Sequence, residues 1–214
     1  MSDAPEDSVP PSGGMTRRAL MGGALGAVVL VAVGGAGRAF AGQGQLLRPP
    51  GAQDENLLLG RCIRCDRCRS ACPRGAVDVA HVEDGFIHAR TPKMNFRKGY
   101  CDFCNGEFLC ARNCPTQAIS FGFEPATAKI GMAVVDASEC LLYRSGSNRC
   151  SKQCMDACAY GALSIGSDGG LVVDQAACNG CGACENACPS SSYASYTASG
   201  RRGINIEAWE GSTR

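Results

Sequence analysis

The sequence has none of the short motifs that mark common catalytic machinery: no G-x-S-x-G nucleophile elbow, no glycine-rich phosphate loop and no His-Glu metal motif. Histidine occurs twice, tryptophan once, and aromatic residues make up 6% of the chain, so a large aromatic core is excluded. Charge is almost balanced at +1, which rules out the basic field of a nucleic-acid binder. No helix-turn-helix pattern is visible, so a sensor with a DNA-binding output is also disfavoured. What remains is a chain of 214 residues, 45% hydrophobic, with 28 glycines and sixteen cysteines.

The cysteines are the organising feature. Residues Cys178 to Pro189 read CNGCGACENACP, the run C-x2-C-x2-C-x3-C-P that binds iron-sulfur clusters through thiolates in bacterial ferredoxins. Gly180 and Gly182 let this loop curl without Cβ clashes. In two-cluster ferredoxins the fourth cysteine of such a run serves the neighbouring cluster, so one run predicts another. The sixteen cysteines divide into four quartets: Cys62, Cys65, Cys68, Cys72; Cys101, Cys104, Cys110, Cys114; Cys140, Cys150, Cys154, Cys158; and Cys178, Cys181, Cys184, Cys188. All sixteen are candidate iron ligands, enough for four [4Fe-4S] clusters. A disulfide scaffold does not explain thiols repeated at every third position. Zinc uses two pairs per tetrahedral site and has no need of a third thiol at the same spacing followed by Cys-Pro.

Residues 1–41 read as a leader. A Ser/Pro/Gly-rich stretch with no fold of its own precedes Thr16-Arg17-Arg18, a mild apolar run from Ala19 to Ala36, and the small-x-small pattern Ala39-Phe40-Ala41. This is the pattern of a twin-arginine signal cleaved after Ala41, with a retained membrane anchor as the alternative. Twin-arginine export carries folded proteins, which suits thiols that must be ligated before they meet an oxidising compartment. Loss of the leader removes three arginines and three acids and leaves the net charge unchanged. Residues 42–60 read as an extended strap, 61–190 as the cysteine domain, and 191–214 as a C-terminal strap carrying Trp209.

Within the cysteine domain the first quartet keeps Pro73 and is crowded by Arg61, Arg64, Arg67, Arg69 and Arg74, either a solvated loop or a docking face. Residues 77–90 alternate around Asp84-Gly85 and predict a β-hairpin, with His81 and His88 as surface residues rather than ligands. The second quartet widens one gap to five residues, which would bulge Asn105 to Leu109 outward as a contact surface. The third is the least regular, with a nine-residue gap and Ala159 in place of proline. It is assigned because AYGALSI after Cys158 echoes PRGAVDV and PTQAISF after the first two quartets, an internal repeat of ligand loop, short helix and strand. A strand leads into Cys140, and another hairpin turns at Asp168-Gly169-Gly170. The fold class is therefore α+β: tandem ferredoxin-like units of short helices and hairpins with little conventional core. The clusters should pair through the fourth cysteines, and loop lengths permit either adjacent or nested pairing.

Such a chain has little room for a substrate pocket, and four complete thiolate sets leave no open iron position. Electron transfer is the reading, with a catalytic or sensory iron-sulfur protein as the alternative class. Together with the twin-arginine leader, the segment Leu47-Arg48-Pro49-Pro50-Gly51-Ala52, Glu55-Asn56, the Cys-x-Arg-Cys opening at Cys62, the four quartets in order and a tryptophan near the C-terminus resemble the NapG/MauM family of ferredoxin-type proteins. The departures are the gaps of the second and third quartets and Ala159. The resemblance implies a periplasmic, peripherally membrane-associated component that docks on a NapH-like membrane quinol dehydrogenase. It would pass electrons toward a c-type cytochrome or a nitrate reductase-type molybdopterin reductase, with no nucleic-acid partner. The other reading is the electron-transfer subunit of a different exported molybdopterin oxidoreductase.

Overall fold

The computed structural model describes residues 45–121, 129–143, 150–190 and 201–209. The leader at 1–41 lies outside the described residues, as do much of the widened third-quartet gap (144–149) and parts of the C-terminal strap (191–200 and 210–214). Among the described residues no helix is long and apolar enough to cross a membrane.

Short elements follow one another in the order that the cysteine repeat dictates. Helix α1 (Glu55–Arg61) is started by Asp54, whose carboxylate accepts the Leu57 N–H at 2.9 Å, and it has an acid in its first turn and a base in its last. It corrects the extended strap expected over 42–60, because this cap allows Leu57, Leu58 and Leu59 to form a helix that buries Leu58 completely. Then come α2 (Arg67–Ser70), β1 (Val77–Val79), β2 (Pro92–Met94), α3 (Leu109–Arg112), β3 (Met132–Val135), α4 (Gln153–Asp156), β4 (Leu163–Ile165), β5 (Leu171–Val173), α5 (Ala183–Ala187) and β6 (Ile204–Glu207). The strands form three antiparallel pairs: β1 with β2, β3 with β6, and β4 with β5.

The hairpin at β4–β5 turns where Asp168-Gly169-Gly170 predicts it, with Ile165 opposite Leu171. The hairpin expected within 77–90 does not form. Val77 pairs with Met94 and Val79 with Pro92 instead. Residues 82–84 make a 3-10 turn, closed by Asp84, which accepts the His81 N–H at 2.7 Å and pairs with Lys93. Arg90 then takes a φ of 63° and bends the chain before the return strand. Over the described residues 115–121, after the second quartet, no strand forms either, and Ser120 N–H donates at 2.8 Å to the carbonyl of Gly51 in the N-terminal segment. In the C-terminal segment, β6 is a strand paired along β3, from Met132–Glu207 to Val135–Ile204.

A continuous core nevertheless exists. It holds Leu58, Phe96, Phe103, Phe108, Ile119, Ile130, Ile204 and Ile206, with many small residues and several thiols among them. The segment before α1 is locked onto this body by Arg48, only 3% exposed. Its guanidinium pairs with Glu55 and donates to Thr91 Oγ1 at 2.9 Å and to the Pro92 carbonyl at 2.7 Å. His88 belongs to the same network, with Nδ1 2.9 Å from Glu55 Oε1, and is half-buried rather than on the surface. One buried cation thus ties the proline segment, α1 and β2 together. Replacing Arg48 with alanine removes the guanidinium from all three acceptors and leaves His88 as the remaining partner of Glu55, and a loss of about 3 kcal/mol is expected. The measurement is the urea midpoint followed by Trp209 fluorescence, with Arg48→Lys recovering only part because it lacks the planar fork.

Candidate iron-sulfur sites

The four quartets share one backbone device. Two residues before the third cysteine, the chain takes a left-handed conformation at Asp66 (φ 67°), Phe108 (φ 44°), Lys152 (φ 62°) and Gly182 (φ 79°). Each of these four residues starts a helix of about one turn, and its carbonyl accepts the N–H four residues on: Ser70, Arg112, Asp156 and Asn186. Only one of the four is glycine, and the strain of the other three, on the order of 1–2 kcal/mol each, is held by the fold around them. At Gly182 no other residue fits, because a Cβ would lie inside the Phe96 ring; at Gly180 it would strike the Gly131 backbone. The third quartet has the same device as the regular ones, which supports its place in the repeat.

The helix carries the fourth thiol away from its own quartet. Burial pushes Cys68 up to about 12, and Cys62 and Cys114 reinforce the rise through their charge. Burial also raises Cys101, whose charged neighbours are Cys110, Cys104 and Cys72, and raises Cys110 to about 12, with Cys104 the strongest neighbour. Burial pushes Cys154 up to about 11, with Cys150, Cys188 and Cys140 acting in the same direction. Cys184 is raised by burial and then by Cys181, Cys178 and Cys158. The thiols therefore gather as 62, 65, 68 with 114; 101, 104, 110 with 72; 140, 150, 154 with 188; and 178, 181, 184 with 158. The first group lines a cavity with Leu58, Val79, Ala118 and Ile119. The last lines one with Ala133, Ala162, Leu163 and Ile206. Adjacent quartets exchange their fourth cysteines, so the pairing left open by loop length is adjacent.

All sixteen thiols are unbridged. Among the described residues no group of three or more His, Cys, Asp or Glu side chains is set as a cage for a single metal ion. The apolar walls and four thiol donors of the two cavities suit a cluster held by thiolates. Raised thiol pKa values are the cost of burying these groups without a cation; binding to iron removes it. Cys114 differs: burial raises it, but N–H groups of Ile119, Thr116 and Ala118 and the Thr116 hydroxyl outweigh this and hold it below its ordinary value.

The surroundings of the groups also differ. Cys65 is exposed, beside Ile63 and Arg64. Of the arginines around the first quartet, Arg69 pairs with Asp66 at 2.6 Å and Arg74 with Asp102 at 2.7 Å over the Tyr100 ring. Asn105, Gly106 and Glu107 are exposed in the widened gap of the second quartet, while Phe108 is buried beneath them. Trp209 lies under Lys129, 5.1 Å from nitrogen to ring centroid, and does not line either of the two thiol cavities described above. Three contacts were not read from the sequence: the Cys101 N–H to the Cys181 carbonyl at 2.8 Å, and hydroxyls at Cys114 and Cys188 from Thr116 (3.7 Å) and Ser190 (3.2 Å). The hydroxyls had a signal, a Thr or Ser directly after Cys-Pro.

A 4Fe-4S dicluster domain model matches residues 61–118 and 147–192, one match for each pair of quartets but starting after Cys140. The chain is 33% identical over 173 residues to ferredoxin-type protein NapG of Escherichia coli (strain K12), covering 76% of this chain and 74% of that one. It is 34% identical over 190 residues to methylamine utilization ferredoxin-type protein MauM of Paracoccus denitrificans (strain Pd 1222), covering 81% and 83%. The chain belongs to the NapG/MauM family of ferredoxin-type proteins. Ferredoxin-type protein NapF of Escherichia coli (strain K12) is a further relative, 32% identical over 150 residues, or 67% of this chain and 80% of that one. This NapG/MauM-family member is an iron-sulfur electron-transfer protein, built on thiol sites that its backbone prepares in advance.

Gly182→Ala, which forces a side chain into Phe96 at a positive φ, is expected to lower iron and acid-labile sulfide per chain. Gly60→Ala, with nothing within 4 Å of the added Cβ, should leave both unchanged. Colorimetric iron and sulfide assays of anaerobically purified protein compare the two.

Proposed function

We propose that the sixteen cysteines hold four [4Fe-4S] clusters, in two pairs, and that the protein passes electrons from a membrane quinol-oxidising partner toward an exported reductase. The observation that carries this reading is the gathering of the thiols into four groups of four, two of which line enclosed apolar cavities. The ligand sets are Cys62, Cys65, Cys68 and Cys114; Cys72, Cys101, Cys104 and Cys110; Cys140, Cys150, Cys154 and Cys188; and Cys158, Cys178, Cys181 and Cys184. When bound, each cluster supplies a one-electron couple without an open iron position. The chain's own residues fix where those couples stand and tune them. Buried thiolates and apolar walls exclude water, and backbone N–H groups such as that of Ala162, 3.3 Å from Cys158 Sγ, stabilise sulfur charge.

The direction of transfer rests on the family. NapG and MauM relatives align with this chain over most of its length, and the pairing with a quinol dehydrogenase and a nitrate reductase-type acceptor is the reading of that likeness. The Arg17-Arg18 leader supports twin-arginine export and a periplasmic site.

Anaerobic analysis of the mature protein should give about sixteen irons and sixteen sulfides per chain. Zinc in near-stoichiometric amount without sulfide would end the reading. Cys150→Ser should abolish one EPR signal of the reduced protein, and retention of every signal would remove the third quartet from the ligand list. Lysine at both Arg17 and Arg18 should hold the protein in the cytoplasm, read by fractionation; unchanged export would refute the twin-arginine assignment.

A further inference from the structure

The four thiol groups are joined in a fixed order. Exchange of Cys72 and Cys114 joins the first two quartets, and exchange of Cys158 and Cys188 joins the last two. Between these halves, the Cys101 N–H donates to the Cys181 carbonyl at 2.8 Å. Beside that bond the ring of Phe103 meets Tyr160 edge to face, with centroids 6.4 Å apart. The groups that contain Cys101 and Cys181 are therefore inner. Those that contain Cys114 and Cys188 are outer, and every residue that lines the Cys114 cavity comes from positions 58–119.

The same two outer groups each hold a thiol that meets a side-chain hydroxyl. Thr116 Oγ1 lies 3.7 Å from Cys114 Sγ, and Ser190 Oγ lies 3.2 Å from Cys188 Sγ. Ser190 is 1% exposed, and its oxygen accepts the Gly203 N–H at 2.7 Å. That bond occupies a lone pair and leaves the hydroxyl proton to point at sulfur. At the corresponding position after Cys72 stands Arg74, engaged with Asp102. After Cys158 stands Tyr160, whose ring packs on Phe103. Backbone donors occur in inner and outer groups alike, at Cys158 and at Cys114, so the hydroxyl is what separates them.

A donor to a ligand sulfur favours the more negative, reduced state of the cluster that sulfur holds. We propose that Thr116 and Ser190 are positioning residues whose hydroxyls raise the reduction potentials of the two outer clusters, so that electrons rest at the ends of the row and cross its middle uphill. This rests on the four-cluster ligand assignment above. Each redox event is uptake of one electron from the reductant by one cluster, with no bond made or broken and no proton transferred.

The test is an EPR-monitored titration of the cluster-loaded protein with dithionite and mediators, with iron and sulfide measured on the same samples. Thr116→Val keeps the shape of the side chain and removes the donor. It should lower the midpoint potential of one signal and leave the others in place, while Thr116→Ser retains the wild-type value. Ser190→Ala should lower a different signal, and Ser190→Thr should restore it. Unchanged potentials in Thr116→Val and Ser190→Ala at full iron content overturn the proposal and leave the ligand sets standing. Equal shifts in Thr116→Val and Thr116→Ser also overturn it, since packing would then be the cause. Wild-type protein with fewer than four clusters fails the underlying assignment instead.

Discussion

No quartet in this chain can close on itself. In every repeat a left-handed residue two positions before the third thiol, at Asp66, Phe108, Lys152 and Gly182, starts about one turn of helix that holds the third thiol and leads on to the fourth. At 1.5 Å per residue, that short helix is enough to turn the fourth side chain away from the loop that holds the first three. Each group must then be completed from a neighbouring repeat, and the neighbour must be completed in return. This reciprocal dependence explains why the helices of paired repeats pack together, α2 on α3 and α4 on α5. It also explains why the dicluster match falls in two blocks rather than four.

The two blocks are then fastened by few but specific contacts. Besides the Cys101–Cys181 bond, Asn186 Nδ2 donates to the Phe96 carbonyl at 2.9 Å, and Gly180 lies against Gly131 so closely that a Cβ has no room. The C-terminal strand β6 closes the second block. Glu185, whose carboxyl is pushed up by burial, accepts the Ile206 N–H at 2.7 Å. Arg202 donates to the carbonyls of Glu185 and Asn186, and Gly203 reaches Ser190. A terminal segment without a single cysteine thus presses on the helix that carries Cys184 and positions the hydroxyl beside Cys188.

Cysteine spacing is direct evidence, because ligand type and interval are set by local chemistry; the quartets, the α+β class and the turn at Asp168-Gly169-Gly170 were all legible for this reason. Pairing was not, since connections of these lengths reach either neighbour and only packing decides. Alternation over 77–90 does not reveal the turn that Asp84 and Lys93 close, which delays the return strand to Pro92. The segment Leu47 to Ala52 stood out as a family signature, yet its sequence gives no sign that Arg48 is buried. Within the fold Arg48 holds α1 and β2 together. Thr and Ser after proline are common, and the meaning of Thr116 and Ser190 depends on which thiol group each one faces.

The central claim is that a fourth cysteine belongs with the adjacent quartet and not with its own. Low-temperature EPR of reduced, anaerobically prepared Cys114→Ser, Cys68→Ser and Cys110→Ser proteins tests it most directly. The account predicts that Cys114→Ser and Cys68→Ser alter the same cluster signal and that Cys110→Ser alters another. A Cys114→Ser spectrum that changes with Cys110→Ser, while the signal lost in Cys68→Ser remains intact, would contradict it.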